Sequence, residues 1–352
     1  MITLLAAVLL SSVFGLYWTP VMRRAALQLG IVDRPDGNLK GQKSAIPYLG
    51  GLAIFISFLL TVGVLTEFEQ EILGLLLAGT IVLMVGLIDD FGVITVSQKL
   101  LGQTLAALVL VKSGIFIKLE FVPLWAAVPL TVLWMLAVTN AFNVIDVLDG
   151  QAAGVGVISA TIIGVANLMA GRDSFALLCF VLAGATLGFL RHNFHPAQIY
   201  LGDAGALFLG FMLASLSMNA GYTRVNLLAA ISPVLILGVP IFDTTLVMFV
   251  RWRKGLPITR GSPDHFSLRL RKLNLSVRQT AYVTYGATAA LGGIALLMSR
   301  VQLVWAVTLL LGTIAAGLIS AYLLIKVDVG PTPATKPESV YPGTASSRNP
   351  SI

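Results

Sequence analysis

A chain of 352 residues that is 57% hydrophobic and only 11% charged, with a mean hydropathy of +0.90, is too apolar for a water-soluble domain. Its net charge of +7 and pI near 9.6 would suit a nucleic-acid binder, but the placement of the basic residues, taken up below, assigns them to one membrane face instead. The single cysteine, Cys179, sits in an apolar run and excludes both an intramolecular disulfide and a thiolate metal cluster.

Apolar runs near the roughly 20 residues of a bilayer span fall at 2–19, 48–66, 72–89, 99–117, 121–142, 150–170, 174–190, 204–220, 227–250, 280–299 and 302–325. They predict an all-α polytopic integral membrane protein of about eleven transmembrane helices. The first run has neither a basic leader nor a convincing cleavage site and reads as a retained span. With the N-terminus outside, only Lys112, Lys118, Arg172, Arg224 and Arg300 of the 23 Lys and Arg residues fall outside. The positive-inside rule therefore predicts an outside N-terminus and an inside C-terminus. Residues 1–326 read as one membrane-embedded domain. Residues 327–352, where Pro, Ser, Thr and Lys replace the apolar runs, read as a disordered cytoplasmic tail.

This orientation gathers the polar clusters on the cytoplasmic side, which predicts a composite active-site cleft at that face. Lys40 and Lys43 precede Pro47-Tyr48-Leu49-Gly50-Gly51, whose glycines suit either close helix packing or approach to a phosphate. Asp89 and Asp90 close the third run, and two adjacent carboxylates call for a neutralising cation, with Mg²⁺ the natural hard ion. Lys99 and Gln103 stand four apart and share a helix face; Lys99 could equally snorkel. Asn140, Asn143 and Asp146 recur every three residues, with Asp149 continuing the line to Gly150, and predict one polar helical stripe. An interfacial helix cap is its bland alternative.

Further on, Gly202 and Gly205 flank Asp203 and suit a tight turn beside an anion, with Asp203 as a cation ligand or an ordinary N-cap. Asn193 belongs to the same dense stretch, and Tyr200 could stack on a flat base or sit in an interfacial aromatic belt. Pro240 beside Asp243 predicts a broken or kinked helix bordering a cavity, and Asp243 could pair with a nearby arginine. His265 and Arg269, four apart in the most basic loop, would form a cationic face suited to a diphosphate. Arg271, Lys272 and Arg278 read instead as attraction to anionic lipid headgroups.

The ordered series Asp33-x-Pro35, Lys40, Pro47-x-x-Gly50-Gly51, Asp89-Asp90, Lys99-Leu100-Leu101-x-Gln103, Asn140-x-x-Asn143-x-x-Asp146-x-x-Asp149-Gly150, Asn193-x-x-Pro196-Ala197, Gly202-Asp203-x-Gly205 and Pro240-x-x-Asp243-Thr244 resembles the polyprenyl-phosphate N-acetylhexosamine-1-phosphate transferases, the WecA/MraY-like family. The likeness covers nearly all of the membrane region.

It implies transfer of a HexNAc 1-phosphate, GlcNAc first, from a UDP-sugar to undecaprenyl phosphate with release of UMP, in a bacterial cytoplasmic (inner) membrane. It implies Mg²⁺, with Mn²⁺ as a substitute, and membrane lipids but no nucleic acid as partners; a homodimer is one option for the oligomeric state. Carried over residue by residue, Asp89 becomes the base that deprotonates or orients the lipid phosphate, Asp203 the metal ligand with Asp90 assisting, and His265 a further catalytic residue. Lys40, Lys43, Lys99, Asn143, Asp146, Asp149, Asn193, Tyr200 and Arg269 become substrate-binding residues.

Gln42 stands where many members carry a histidine, and Leu268 where a second histidine is often found. The triple-histidine loop of the peptidoglycan-precursor enzyme is missing, which favours the branch that uses UDP-GlcNAc. An ion- or proton-coupled transporter is the rival class, since intramembrane acids also serve relays.

Overall fold

The computed structural model describes residues 2–33, 46–119, 121–257 and 262–329. Lys40, Gln42 and Lys43 lie outside the described residues, as does nearly all of the expected tail, from residue 330 onward.

Thirteen α-helices follow in chain order: α1 (Ile2–Leu29), α2 (Gly50–Leu65), α3 (Gln70–Asp90), α4 (Val96–Lys112), α5 (Leu124–Ile145), α6 (Gln151–Met169), α7 (Asp173–Asn193), α8 (Gly202–Ser217), α9 (Ser232–Ile236), α10 (Gly238–Arg253), α11 (Phe266–Lys272), α12 (Val277–Met298) and α13 (Leu303–Ile325). A two-residue antiparallel ladder, β1 (Val32–Asp33) on β2 (Ile46–Pro47), pairs Val32 with Pro47 and Asp33 with Ile46. It closes the segment between α1 and α2.

Every apolar run is helical, but two of the helices are short. Among the described residues eight helices are long and apolar enough to cross a membrane, or nine if Leu227–Ile236 and Gly238–Arg253, bent by 75°, are one broken span. The two remaining runs form α2 and α4, helices of 16 and 17 residues. At 1.5 Å per residue these are ~25 Å long, at the short end of what crosses a ~30 Å hydrocarbon core. Hydropathy alone counts residues in a run and is blind to where a turn consumes them. The expected break near Pro240 is present: Leu237 leaves the helical region, and Pro240 falls in the first turn of α10, where a missing N–H forfeits no helical bond.

The core is built around α8, whose residues Ala204 to Ser217 are all buried. Helices α2, α3, α5, α6 and α7 surround it. Phe208 meets Phe55 and Phe58 of α2 edge to face, with ring centroids 5.4 and 6.1 Å apart. Polar side chains bind it from outside, with Trp134 Nε1 donating to Ala214 O at 3.2 Å and Asn167 Nδ2 to Leu216 O at 3.2 Å. The outer helices invert the pattern of a soluble protein: in α13 only Ala306 is buried, and Val304, Leu311, Leu318 and Leu323 face outward. Such an apolar exterior requires lipid around it.

Small residues set two close helix contacts. Along α1 and α7, a Cβ on Gly15 would lie 2.6 Å from Ala185 O, and one on Gly188 would lie 2.4 Å from Ser12 O. Between α2 and α8, a Cβ on Gly51 would come within 2.3 Å of Gly205 Cα. The Gly50-Gly51 pair therefore serves packing. Its N–H groups also donate to Tyr200 O and Leu201 O at 3.1 and 2.9 Å, which docks the start of α2 on the turn leading into α8. Gly51→Ala is expected to force α2 off α8 at an overpacking cost of ~1–3 kcal/mol. Thermal unfolding in detergent should show a lowered midpoint; an unchanged midpoint would mean that the contact tolerates a methyl group.

Candidate active site

Four helix ends meet at one pole of the bundle. Asp89 and Asp90 form the last turn of α3, and a tight turn through Gly92 starts α4, whose Thr95–Gln98 capping box fixes its first turn. That places Lys99 over the end of α3. Lys99 Nζ lies 2.5 Å from Asp89 Oδ2, 3.0 Å from Asn143 Oδ1 and 3.9 Å from Asp203 Oδ2. Asn143 Nδ2 in turn donates to Asp203 Oδ1 at 2.5 Å, and the Asp89 and Asp203 carboxyl groups are close enough to share a hydrogen bond. One turn further along both helices, Asn140 Nδ2 donates to Gln103 Oε1 at 2.7 Å. The shared face of Lys99 and Gln103 thus reads the shared face of Asn140 and Asn143.

Asp90 points the other way. Its Oδ1 and Oδ2 accept the backbone N–H groups of Asp203 and Ala204 at 2.7 and 3.1 Å. A carboxylate on the exposed donors of a helix N-terminus is a charge-assisted cap, and here it fixes where α8 begins. Gly202 makes room for it: φ is +74°, and a Cβ there would lie 2.9 Å from Asp90 Oδ2. Both Asp90 oxygens are thereby engaged in anchoring the start of α8 beside Asp203. Asp203 falls within the first turn of α8, makes no side-chain cap, and keeps a side chain 38% exposed.

The predicted stripe from Asn140 to Asp149 stops at Ile145. Asp146 leaves the helix at φ −77°, ψ 63°, so Asp146 and Asp149 lie on a turn rather than on the face of α5. The Gly150 bend competes with the helix, a break that a three-residue spacing does not reveal. Burial pushes the Asp146 carboxyl up to about 8, with Asp203, Asp90 and Asp149 adding to the effect. Asp149 Oδ2 accepts from His195 Nδ1 at 2.7 Å and from Ala197 N at 3.1 Å, bracing the loop after α7. Asn193 is buried and structural, with Oδ1 accepting Gly150 N at 3.1 Å and Nδ2 donating to Ile199 O at 3.0 Å. Tyr200 is partly buried, and burial, reinforced by Asp149, Asp33 and Asp146, pushes its hydroxyl up to about 12.

The basic loop is also rearranged relative to expectation. His265 caps α11, and its Nδ1 is 2.8 Å from Oδ2 of the fully buried Asp243, whose Oδ1 accepts Phe266 N at 2.8 Å. Of the partners open to Asp243, the structure gives it a histidine rather than an arginine. Arg269 shares no cationic face with His265: buried, it donates to Asp264 Oδ1 at 2.8 Å and to the carbonyls of Leu324 and Val327 at 3.0 and 2.6 Å. It ties the loop to the end of α13, because the helix starts one residue after His265 and turns Arg269 inward.

Burial works to raise the Asp264 carboxyl, but hydrogen bonds from Lys254 and Ser262 and the charges of Lys254 and Arg269 outweigh it and hold the group below its ordinary 3.8. A depressed carboxylate stabilises the fold above its unfolded value and stops doing so as pH falls through the lower, folded value. Asp264→Asn should therefore cost ~3 kcal/mol near pH 7 by leaving Arg269 unpaired. Unfolding midpoints of the variant and the parent should converge well below pH 3.8; a gap independent of pH would contradict the charge argument.

Among the described residues no group of three or more His, Cys, Asp or Glu side chains forms a ready metal cage. The donor set still fits Mg²⁺. That ion uses one or two carboxylates and completes its shell with phosphates and water, and Asp203 presents an accessible hard oxygen beside Asp89. Two carboxylates, Asp89 and Asp203, stand within 4 Å of Lys99, and Asp90 and Asp146 are close enough to Asp203 to feel its charge, which leaves negative charge for a cation to offset.

Residues 72–221, which hold this network except His265 and its partners, match the family model described as Glycosyl transferase family 4. The chain is 38% identical over 296 residues to a Bacillus subtilis protein described as "Probable undecaprenyl-phosphate N-acetylglucosaminyl 1-phosphate transferase", covering 81% of this chain and 82% of the relative. It is 30% identical over 315 residues to the Mycobacterium tuberculosis decaprenyl-phosphate N-acetylglucosaminephosphotransferase, covering 79% and 78%. To the Escherichia coli K12 undecaprenyl-phosphate alpha-N-acetylglucosaminyl 1-phosphate transferase it is 24% identical over 290 residues, covering 78% of each. With its carboxylates gathered at one pole of a multi-pass helical bundle, the chain belongs to glycosyl transferase family 4, in the WecA/MraY-like branch of membrane-embedded transferases.

Proposed function

We propose that the chain transfers GlcNAc 1-phosphate from UDP-GlcNAc to undecaprenyl phosphate, giving undecaprenyl-diphosphate-GlcNAc and UMP. The observation that carries this is the Asp89–Lys99–Asn143–Asp203 network, built from four helix ends at one pole. A polar site at helix ends suits a reaction between a lipid in the bilayer and a nucleotide in water. A transport path would need its ionisable groups spread along the bundle, whereas the carboxylates and lysine of this network are gathered at one pole. The relatives' names support both the acceptor class and the sugar.

In the reaction an acceptor phosphate oxygen forms a bond to the donor's β-phosphorus while the bond from that phosphorus to the α–β bridging oxygen breaks, and the electron pair leaves with UMP. Such transfers depend on positioning and charge neutralisation more than on covalent help. Asp89 orients the acceptor phosphate and takes its remaining proton, and Lys99 supplies the fixed positive charge between Asp89 and Asp203. Asp203 would hold Mg²⁺, or Mn²⁺ in its place, and the ion would supply positive charge against the diphosphate and the leaving UMP. Asp90 positions Asp203 through the start of α8, and Asp149 and Asn193 position the loop carrying Tyr200. His265, oriented by Asp243, offers its other ring nitrogen to the donor. The orientation drawn from the basic residues puts this pole on the cytoplasmic side of a bacterial inner membrane, where UDP-sugars are found.

A panel of UDP-sugars offered to purified protein with undecaprenyl phosphate and Mg²⁺ tests the reading, with lipid products identified by mass spectrometry. UDP-GlcNAc should give the lipid-linked sugar diphosphate, and chelation should stop the reaction until Mg²⁺ is restored. No lipid product from any UDP-HexNAc would reject it.

A further inference from the structure

A second groove, of about 700 Å³, opens between α1, α7 and α12, away from the four helix ends that hold Asp89 and Asp203. Leu16, Leu187, Leu190, Phe194 and Tyr282 form its apolar walls. Leu16, Leu187 and Tyr282 are 43%, 47% and 60% exposed, so the wall continues onto the lipid-facing exterior. Phe194 and Tyr282 bridge α7 and α12 with ring centroids 5.9 Å apart.

One end of the groove is cationic. Arg191 lies in the last turn of α7, and Arg278 in the first turn of α12, both exposed. His195, on the loop from α7 to α8, lines the same end, and no carboxylate is among the lining residues. Arg278 Nε donates to His195 O at 3.1 Å, which orients its guanidinium across the mouth, while Arg191 makes no hydrogen bond or ion pair among the described residues. Arginines at helix ends sit at headgroup level, with the apolar walls below them in the hydrocarbon.

We propose that this groove is a specific binding site for an anionic phospholipid, with the headgroup phosphate between Arg191 and Arg278 and an acyl chain along Leu16, Leu187 and Tyr282. A zwitterionic headgroup would bring its own cation against two guanidinium groups, so charge complementarity selects an anionic lipid. The acceptor lipid is the wrong occupant, because its reacting phosphate must lie at Asp89 and Lys99, on another set of helix ends. The His195–Gln198 loop also lines the groove; Asp149 holds it through His195 and Ala197, and it runs on into the turn before Asp203. A bound headgroup would brace that loop. The exclusion of the acceptor lipid rests on the proposed function, whereas binding of the anionic lipid is read directly.

The test places p-benzoylphenylalanine at Leu187 of the full chain, in vesicles of phosphatidylcholine containing one fifth phosphatidylglycerol, with photoproducts identified by mass spectrometry. Phosphatidylglycerol adducts should be enriched at least about tenfold over its share of the bilayer, and Arg191→Gln with Arg278→Gln should remove the enrichment. A separate variant, Arg191→Gln alone, leaves the Arg278–His195 bond intact and should lower the enrichment without loss of folding, judged by an unchanged unfolding midpoint. Adducts in proportion to bilayer composition would overturn the proposal. So would adducts to a second copy of the chain, which would make the face a dimer interface, or loss of the adduct on adding undecaprenyl phosphate in equal amount, which would make the groove the acceptor's own.

Discussion

Asp203→Asn should lower transfer by about 10³-fold or more while leaving the fold intact, since removing a group that stabilises transition-state charge costs on that order. Asparagine is isosteric, and the main-chain N–H of residue 203 can still donate to Asp90, so the start of α8 should keep its place. What changes is the charge available to a divalent ion, together with the Asn143 contact, in which a carboxylate acceptor is replaced by an amide. Nucleotide binding measured without turnover should survive at lower Mg²⁺ sensitivity. Turnover near the parent level would remove Asp203 from the reaction and move attention to Asp89.

Lys99→Gln is expected to be nearly as damaging, about 10²-fold in turnover, for a different reason. The ammonium group is only 12% exposed and stands within 4 Å of two carboxylates, themselves near Asp146 and Asp90. Removing one partner of a buried charge pair leaves the other uncompensated, at a cost of ~3–5 kcal/mol. Part of that cost should appear as a lower unfolding midpoint in the absence of metal, and added Mg²⁺ should recover more stability in the variant than in the parent. Lys99→Arg should retain part of the activity, because the charge remains but a planar guanidinium cannot reproduce a compact ammonium among three partners. Equal Mg²⁺ dependence in parent and Lys99→Gln would contradict the view that lysine and metal share the neutralisation.

The helical membrane architecture and the residues of the central network were legible in the sequence, and for the same reason. A run of apolar residues advertises a span, and a polar residue at the end of such a run has no place in lipid. Asp89, Lys99, Asn143 and Asp203 each stand at such an end and do come together. What spacing could not show was how helices start and stop. The stripe through Asp146 broke at Ile145, and α11 started just after His265, which turned Arg269 from the donor toward the carbonyl groups of α13. Asp90 looked like the twin of Asp89 because adjacent residues on a helix differ only in direction, and direction assigned one to the site and the other to the cap of α8. Asn193, expected among the substrate-binding residues, ties two turns together. A usable signal for the α4–α5 contact was present, since Lys99 and Gln103 at a four-residue spacing match Asn140 and Asn143 at three.

The central claim is that the bond made is to the β-phosphorus of the donor at the Asp89–Asp203 pole. It is tested most directly with UDP-GlcNAc carrying ³²P in the β-phosphate, undecaprenyl phosphate and Mg²⁺, by following where the label goes. The account predicts that the label appears in the lipid diphosphate in step with unlabelled UMP, and that Asp203→Asn abolishes both. Label left in a nucleotide, or released as free phosphate with no lipid product, would contradict it.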